Sequence, residues 1–98
     1  MTANSGFHKG QIGAKIILDT LDDPTLLESA TVKEIWYKHS LGNGKWDAEL
    51  DGSTFTYTTL SEEDLPVFGV YSLQVYAEGV GWKTPGDIIK IKVADNIF

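Results

Sequence analysis

The residues that could carry out catalysis or bind a metal are few and scattered along this chain. It has two histidines, His8 and His39, and no cysteine. A zinc site needs three or four convergent ligands, and neither histidine belongs to an HxH or HExxH pattern. No serine lies in a GxSxG elbow, so no serine nucleophile is indicated. We therefore expect a protein that is not an enzyme and that has no catalytic residue, bound metal or other cofactor.

Two clusters of acidic residues suggest other chemistry, and neither has the required spacing. The densest is Glu62–Asp64, but a glycosidase needs two carboxylates facing each other across a cleft, for which a small domain has little room. Asp19, Asp22 and Asp23 lack the DxDxDG spacing of a calcium loop. We interpret the first cluster as a solvated turn and predict no calcium site at the second.

Aromatic side chains are present in surplus, with three tryptophans and four tyrosines in 98 residues. Strand alternation predicts that Tyr76 points outward, and Trp36 does so if a bulge precedes it. Trp82 follows at a hairpin end, and two exposed rings side by side would form a binding patch. Burial in the core is the alternative for each tryptophan. The residues predicted to contact a partner or ligand are Phe7, Trp36, Tyr76, Trp82 and Phe98.

The charge balance disfavours two classes of partner. The net charge is −6, and all eight basic residues are lysines. Nucleic-acid binding relies on a basic surface and on bidentate arginine contacts, and anionic membranes attract basic segments. No apolar run has the length of a signal-peptide core or a transmembrane helix. We expect no nucleic acid or membrane partner, and synthesis in a cytoplasm.

Alternating apolar residues predict that most of the chain forms β-strands. Between residues 69 and 93 the apolar residues that share a strand face are Tyr71, Leu73, Val75, Ala77, Ile89, Ile91 and Val93. Further strands are predicted at 13–20, 30–39, 45–50 and 53–59, with hairpin turns at 42–44 and 51–52. Pro24 and Ser61 each begin a predicted single helical turn. Six to seven short strands separated by turns indicate an all-β antiparallel sandwich.

The sequence also predicts the domain limits and two local features of the strands. We place a flexible N-terminal arm at 1–12, the sandwich at 13–94 and a C-terminal tail at 95–98. Val32, Ile35 and Tyr37 share a strand face only if a β-bulge lies near residues 33–34. Tyr71 opens a strand after a corner, the place of the tyrosine whose hydroxyl bonds back to the backbone in immunoglobulin-type sandwiches. A core tyrosine without that bond is the alternative.

A set of residues between Ala30 and Val93 follows the spacing of a known domain family. These residues are Val32, Lys38, Gly44, Trp46, Tyr57, Thr58, Gly69, Leu73, Gln74, Tyr76, Glu78, Trp82 and Val93. With them, the segment resembles the small immunoglobulin-like domains of bacteriophage virion proteins and is similar to the N-terminal domain of phage baseplate upper proteins. It departs from the family at Lys38–Ser40, where a Lys-Pro-x-Gly turn is common, and in one extra residue near Glu34.

The resemblance implies an immunoglobulin-like fold and a structural role in the virion. The chain would be a tail, baseplate or fibre accessory subunit, with a capsid decoration protein as an alternative. Its partners would be other virion proteins in a homo- or hetero-oligomer, docked through a sheet edge. A separate hypothesis comes from the aromatic surplus: a carbohydrate-binding module that stacks Trp82, with Tyr76 or Trp36, on host surface glycans.

Overall fold

The computed structural model describes residues 7–19 and 24–95, and almost all of them belong to two packed β-sheets. The strands are β1 (Phe7–His8), β2 (Lys15–Asp19), β3 (Val32–His39), β4 (Gly42–Asp47), β5 (Glu49–Asp51), β6 (Thr54–Thr58), β7 (Gly69–Gly79) and β8 (Trp82–Ala94). A short helix, α1 (Pro24–Glu28), and a 3₁₀ turn (Glu62–Asp64) interrupt them. The predicted all-β sandwich is confirmed, with eight strands in the described residues because β1 and β5 are too short for their patterns to be recognised.

The larger sheet has the strand order β1-β8-β7-β3-β4, and the smaller sheet has the order β2-β6-β5. All neighbouring strands are antiparallel except β1 and β8, which run parallel. Ala48 alone separates β4 from β5, and its N–H donates to the Lys33 carbonyl at 2.9 Å. The chain therefore passes from one sheet to the other within a single residue.

The core lies between the two sheets and follows the predicted alternation. Buried side chains of the larger sheet face those of the smaller sheet, which are Ile16, Leu18 and Phe55. On β7 every second residue is buried, and the four inward side chains are Tyr71, Leu73, Val75 and Ala77. Burial of these apolar side chains supplies the main driving force for folding.

The bulge predicted near Lys33 is wrong, because β3 pairs with β7 without interruption from Val32 to Lys38. The irregularity lies instead on β8: Gln74 pairs with Ile88, whereas Tyr76 pairs with Pro85. Proline has no N–H to donate, so it fits such a position. Trp36 consequently points outward through plain alternation, while Ile35 is fully buried.

The turn predicted at 42–44 is displaced toward the N-terminus. His39 pairs with Gly42, so the two turn residues are Ser40 and Leu41, and β4 begins at Gly42. Gly44 is needed for a different reason, since a Cβ there would come within 2.5 Å of the Tyr37 hydroxyl. The second predicted turn is confirmed between β5 and β6, where Gly52 has a φ of +63°.

The N-terminal boundary predicted at residue 12 requires correction. Phe7 is 5% exposed and pairs with Val93. The next residues also bond to the sandwich, with Lys9 N–H donating to Ala94 and Gly10 N–H to Leu65. The described part of the predicted arm is thus part of the fold, because an aromatic residue is available to fill the core at that end. Residues 1–6 lie outside the described residues, as do 96–98 of the predicted tail.

The corner hydrogen bond predicted for Tyr71 is present. Its hydroxyl donates to the Val67 carbonyl at 2.7 Å and accepts from the Val67 N–H at 3.1 Å. Burial raises the pKa of Tyr71 above its ordinary value. The predicted cap is present too, because Ser61 Oγ accepts from the Glu63 N–H at 3.0 Å and begins the 3₁₀ turn.

Candidate functional site

The outer face of the larger sheet brings together two of the predicted binding residues, Trp36 of β3 and Tyr76 of β7. Their ring centroids are 4.3 Å apart with an interplanar angle of 18°, a stacked arrangement. The two strands are neighbours, and Trp36 pairs with Gln74, one outward position from Tyr76. Diagonal neighbours on a sheet face lie within reach of aromatic side chains. Strand alternation and register therefore place both rings in one aromatic stack on the protein surface.

Carboxylates hold the two rings in place. The Trp36 Nε1–H donates to Glu34 Oε1 at 3.1 Å, and Glu34 Oε2 forms an ion pair with Lys45 Nζ at 3.3 Å. The Tyr76 hydroxyl donates to Glu78 Oε1, and this hydrogen bond is the main cause of a raised Tyr76 pKa. Rings held in this way lose little additional side-chain freedom when a partner binds.

A shallow groove of about 620 Å³ runs beside the aromatic stack across β8, β7, β3 and β4. Its floor and walls include Trp36, Lys38, Asn43, Lys45, Gln74 and Ile88. The Gln74 amide donates to the Gly86 carbonyl at 2.8 Å, which anchors it beside the β8 irregularity. Ile88 is 64% exposed. The groove thus offers a ligand an indole face, an aliphatic side chain, amides and ammonium groups.

Next to the groove, the same face carries a cluster of lysines. Lys38 and Lys90 lie on either side of Ser72 in one cross-strand row, and Lys92 lies two residues beyond Lys90. In the described part of the chain none of the three lysines forms an ion pair with a carboxylate. Val70, which is opposite Lys92, is 59% exposed. This end of the face is therefore basic and partly apolar although the whole chain is acidic.

The outer face of the smaller sheet has the opposite character. Its outward residues are Lys15, Ile17, Asp19, Glu49, Asp51, Thr54, Thr56 and Thr58. Asp19 and Asp51 lie on either side of Thr54 in one cross-strand row. The three threonines make the middle of this face polar and β-branched, and acidic residues border it.

The remaining predicted binding residues do not join the aromatic stack. Trp82 pairs with Gly79 on the core side of the sheet and packs against the core, so it is not a partner of Tyr76 or Trp36 in a stacking platform. Its ring covers Gly79, which has no Cβ to displace it. Phe7 is buried in the core and is therefore not exposed for docking. Phe98 lies outside the described residues.

Inside the sandwich, a column of rings serves packing rather than binding. Trp46 is stacked between Tyr37 at 4.6 Å and Tyr57 at 5.0 Å. The Tyr57 hydroxyl donates to Asp64 Oδ2 at 2.8 Å, and burial together with this bond raises the pKa of Tyr57 to about 12. The Trp46 Nε1–H is buried and has no hydrogen-bond partner among the described residues. Stacking is the interaction that holds Trp46 at this position.

The described residues contain neither a group that could hold a metal ion nor a helix that could cross a membrane. Within 7–19 and 24–95, no group of three or more histidine, cysteine, aspartate or glutamate side chains could hold a metal ion. No helix in those ranges is long and apolar enough to cross a membrane. His39, at the end of β3, accepts a hydrogen bond on Nδ1 from the Leu41 N–H at 3.2 Å. That contact belongs to the β3–β4 turn.

Sequence reasoning missed three residues of this surface: Lys45, Gln74 and Ile88. Each occupies an outward position in its strand, so alternation carried a signal for them. They were not recognised because alternation along one strand does not show which outward residues of different strands become neighbours; that depends on the register between strands.

No protein-family model, curated protein or solved structure matches this chain. Its function is therefore inferred from the surfaces described above.

Proposed function

We propose that this protein is a non-enzymatic structural subunit of a bacteriophage particle, a tail, baseplate or fibre accessory protein that docks onto other virion proteins. The observation that carries the proposal is the outer face of the larger sheet. There, a stacked and hydrogen-bonded Trp36–Tyr76 pair lies near exposed apolar side chains and near lysines that form no ion pair with any carboxylate of the described residues.

The composition of that face supports a protein–protein contact. Tryptophan and tyrosine are enriched among the residues that dominate binding energy, and they act best when surrounding contacts exclude water. Here Ile88, which is more than half exposed and lines the same groove as Trp36, extends the apolar area beside the aromatic stack. A partner that covers this area would bury apolar surface at about 25 cal/mol per Å² before the costs of association.

The topology supports an immunoglobulin-like fold and hence the family resemblance. In variable-type immunoglobulin sandwiches, strands G, F, C and C′ share one sheet and strands B, E and D share the other. The orders β8-β7-β3-β4 and β2-β6-β5 correspond to that arrangement. Tyr71 makes the corner bond typical of the fold. These correspondences support the immunoglobulin-like architecture that the resemblance implies.

The proposal is tested by locating the protein in phage particles from the source culture. Antibody raised against it should label a tail tip, baseplate or fibre in gold-label electron microscopy. Label confined to the head surface would favour the capsid decoration alternative. Purified particles without the protein, when the cells that produced them contain it, would overturn the structural role.

A second set of particles tests the docking surface itself. Particles assembled with a Trp36→Ala subunit should contain much less of the protein than wild-type particles, as measured by immunoblot. Val80→Ala is the matched control, because Val80 is 93% exposed at the β7–β8 turn, away from the aromatic stack. Equal incorporation of both variants would show that docking uses another surface.

A second candidate function, carbohydrate binding, is favoured by the indole of Trp36 that lines the groove beside the Gln74 and Asn43 amides. Sugars stack on such rings and bond to such amides. For carbohydrate binding, Trp36 and Tyr76 would form the stacking platform, and Trp82 would not be part of it. A host glycan that changes tryptophan fluorescence in the wild type but not in Trp36→Ala would support it, and a panel of host surface glycans without effect would exclude it.

A further inference from the structure

We propose that the lysine cluster on the larger sheet binds the acidic outer face of the smaller sheet in a second copy of this chain. The inference rests on the proposed docking function and identifies one of its partners. In this contact the basic end of the outer face lies against the acidic face of the next copy. The basic end is formed by Lys38, Ser72, Lys90 and Lys92. The residues that it contacts are Asp19, Glu49, Asp51 and Thr54 of the next copy.

The distribution of charge is the first argument. Five of the eight lysines lie on the outer face of the larger sheet, although the chain has a net charge of −6. Lys45 is neutralised by Glu34, whereas Lys38, Lys90 and Lys92 have no such partner among the described residues. Like charges gathered on one face repel each other. A surface that keeps them together is matched to a negatively charged partner.

The spacing of the charges is the second argument. In the larger sheet, Lys38 and Lys90 each pair with Ser72, so the two lysines are two strand spacings apart with a hydroxyl between them. In the smaller sheet, Asp19 and Asp51 each pair with Thr54, again with a hydroxyl between them. Neighbouring strands lie about 4.8 Å apart, so both rows span about 10 Å. A Lys-Ser-Lys row of one copy therefore matches an Asp-Thr-Asp row of another.

The two faces lie on opposite sides of the sandwich, which determines the kind of assembly. A contact between different surfaces is heterologous, and repeating it produces either a closed ring or an open filament. One copy would contact a second copy through its basic face and a third copy through its acidic face. Each copy therefore has one site for the copy before it and one for the copy after it. This geometry agrees with a subunit of a particle built from repeated units.

The contact should be weak and sensitive to salt. Exposed ion pairs contribute little individually, and ions screen them over about 10 Å at 0.1 M salt and about 3 Å at 1 M. Sedimentation of the purified chain at low ionic strength should show a weight-average mass that rises with concentration above the monomer mass of 10.8 kDa. At about 1 M salt the mass should return to that of the monomer.

Two charge-neutralised variants test which surfaces meet. The basic-face variant carries Lys38→Gln and Lys90→Gln, and the acidic-face variant carries Asp19→Asn and Asp51→Asn. Each variant retains one intact face, so each alone should remain monomeric. An equimolar mixture should form a one-to-one dimer and nothing larger, because only the two intact faces can pair. Circular dichroism of each variant checks that it is folded.

The control is Lys83→Glu compared with Lys90→Glu. The two substitutions change the net charge equally, but Lys83 lies opposite Glu78 at the other end of the same face. Lys83→Glu should associate as the wild type does, and Lys90→Glu should associate less.

A wild type that is monomeric at all concentrations, or a mixture that gives no dimer, would overturn the inference. Association of the basic-face variant alone would also overturn it. None of these results affects the particle-labelling experiment, so failure of self-association and failure of the docking function remain distinguishable.

Discussion

Both faces of the larger sheet carry stacked aromatic rings. The two faces differ in the contacts that hold the rings in place. On the inner face, Tyr37 and Trp46 stack within the core, where side chains of both sheets enclose them. On the outer face, Trp36 and Tyr76 stack in solvent contact and depend on hydrogen bonds to Glu34 and Glu78. The number of aromatic residues therefore does not separate core rings from surface rings, whereas their strand face does.

Leu73→Ala should give the largest difference between the two faces. Leu73 is fully buried on the inner face of β7, so its truncation should lower the free energy of unfolding by about 2–5 kcal/mol. Ser72→Ala, one residue away on the outer face, should change it by less than about 0.5 kcal/mol. Urea denaturation of the two variants measures both values. Similar losses would mean that the two faces are not distinct in burial.

Gly79→Ala tests whether Trp82 belongs to the inner face. An added Cβ would lie 2.5 Å from atoms of the Trp82 ring, so the ring would have to move out of its packed position. Overpacking of this kind costs about 1–3 kcal/mol. Unfolding free energy and tryptophan emission should both change, whereas Val80→Ala in the adjacent turn should leave both unaltered. Unchanged emission in Gly79→Ala would place Trp82 away from the core.

A pair of tyrosine-to-phenylalanine variants compares a hydroxyl on each face. Tyr71→Phe removes the corner bonds to Val67 in the interior and should lower the unfolding free energy by about 1 kcal/mol. Tyr76→Phe removes a half-buried bond to Glu78 on the outer face and should have a smaller effect. Thermal unfolding of both variants provides the comparison. A larger loss in Tyr76→Phe would reverse the assignment of structural and surface roles.

The smallest expected effect concerns the pH dependence of stability. The pKa of Tyr57 is raised to about 12, first by burial and then by its bond to Asp64, from 10.0 in the unfolded chain. Between these values the unfolded chain loses the proton and the folded protein keeps it. The contribution of Tyr57 to stability is thus complete below pH 10 and is lost as the pH rises toward 12.

Tyr57→Phe is the matching control for this titration. It should show a shallower loss of stability over the same pH range, measured by urea denaturation at several pH values. Identical pH profiles for the variant and the wild type would show that Tyr57 titrates alike in both states.

Strand alternation in the sequence was enough to predict the core and much of the architecture. The inward set of β7, the Tyr71 corner, the Ser61 cap and the Asp51–Gly52 turn all depend on neighbouring residues, and all are present. Tyr76 was also correctly predicted to point outward, whereas Trp36 points outward although the bulge on which its prediction depended is absent. Patterns of this kind are local, so one sequence is sufficient to reveal them.

The features that sequence reasoning missed depend on contacts between distant segments. Phe7 lies in a polar, glycine-containing segment of the kind common at chain ends. Only its pairing with Val93 shows that it belongs to the core. The irregularity was assigned to β3 from an imperfect apolar pattern, whereas it lies on β8 beside Pro85. Trp82 follows a turn and was expected to be exposed, but the absence of a side chain at Gly79 lets it fold back over the sheet. None of these contacts leaves a pattern along a single strand.

The parallel pairing of β1 with β8 has a mechanical consequence. The first described strand, β1 (Phe7–His8), and the last, β8 (Trp82–Ala94), lie side by side and run in the same direction. A tension applied through the two ends would pull the strands in opposite directions along their length. The load would then fall in shear on the backbone bonds between them, including Lys9 N–H to Ala94 at 2.9 Å, all at once rather than one after another. A domain joined at both ends to neighbouring structures would therefore resist extension first at this short pair.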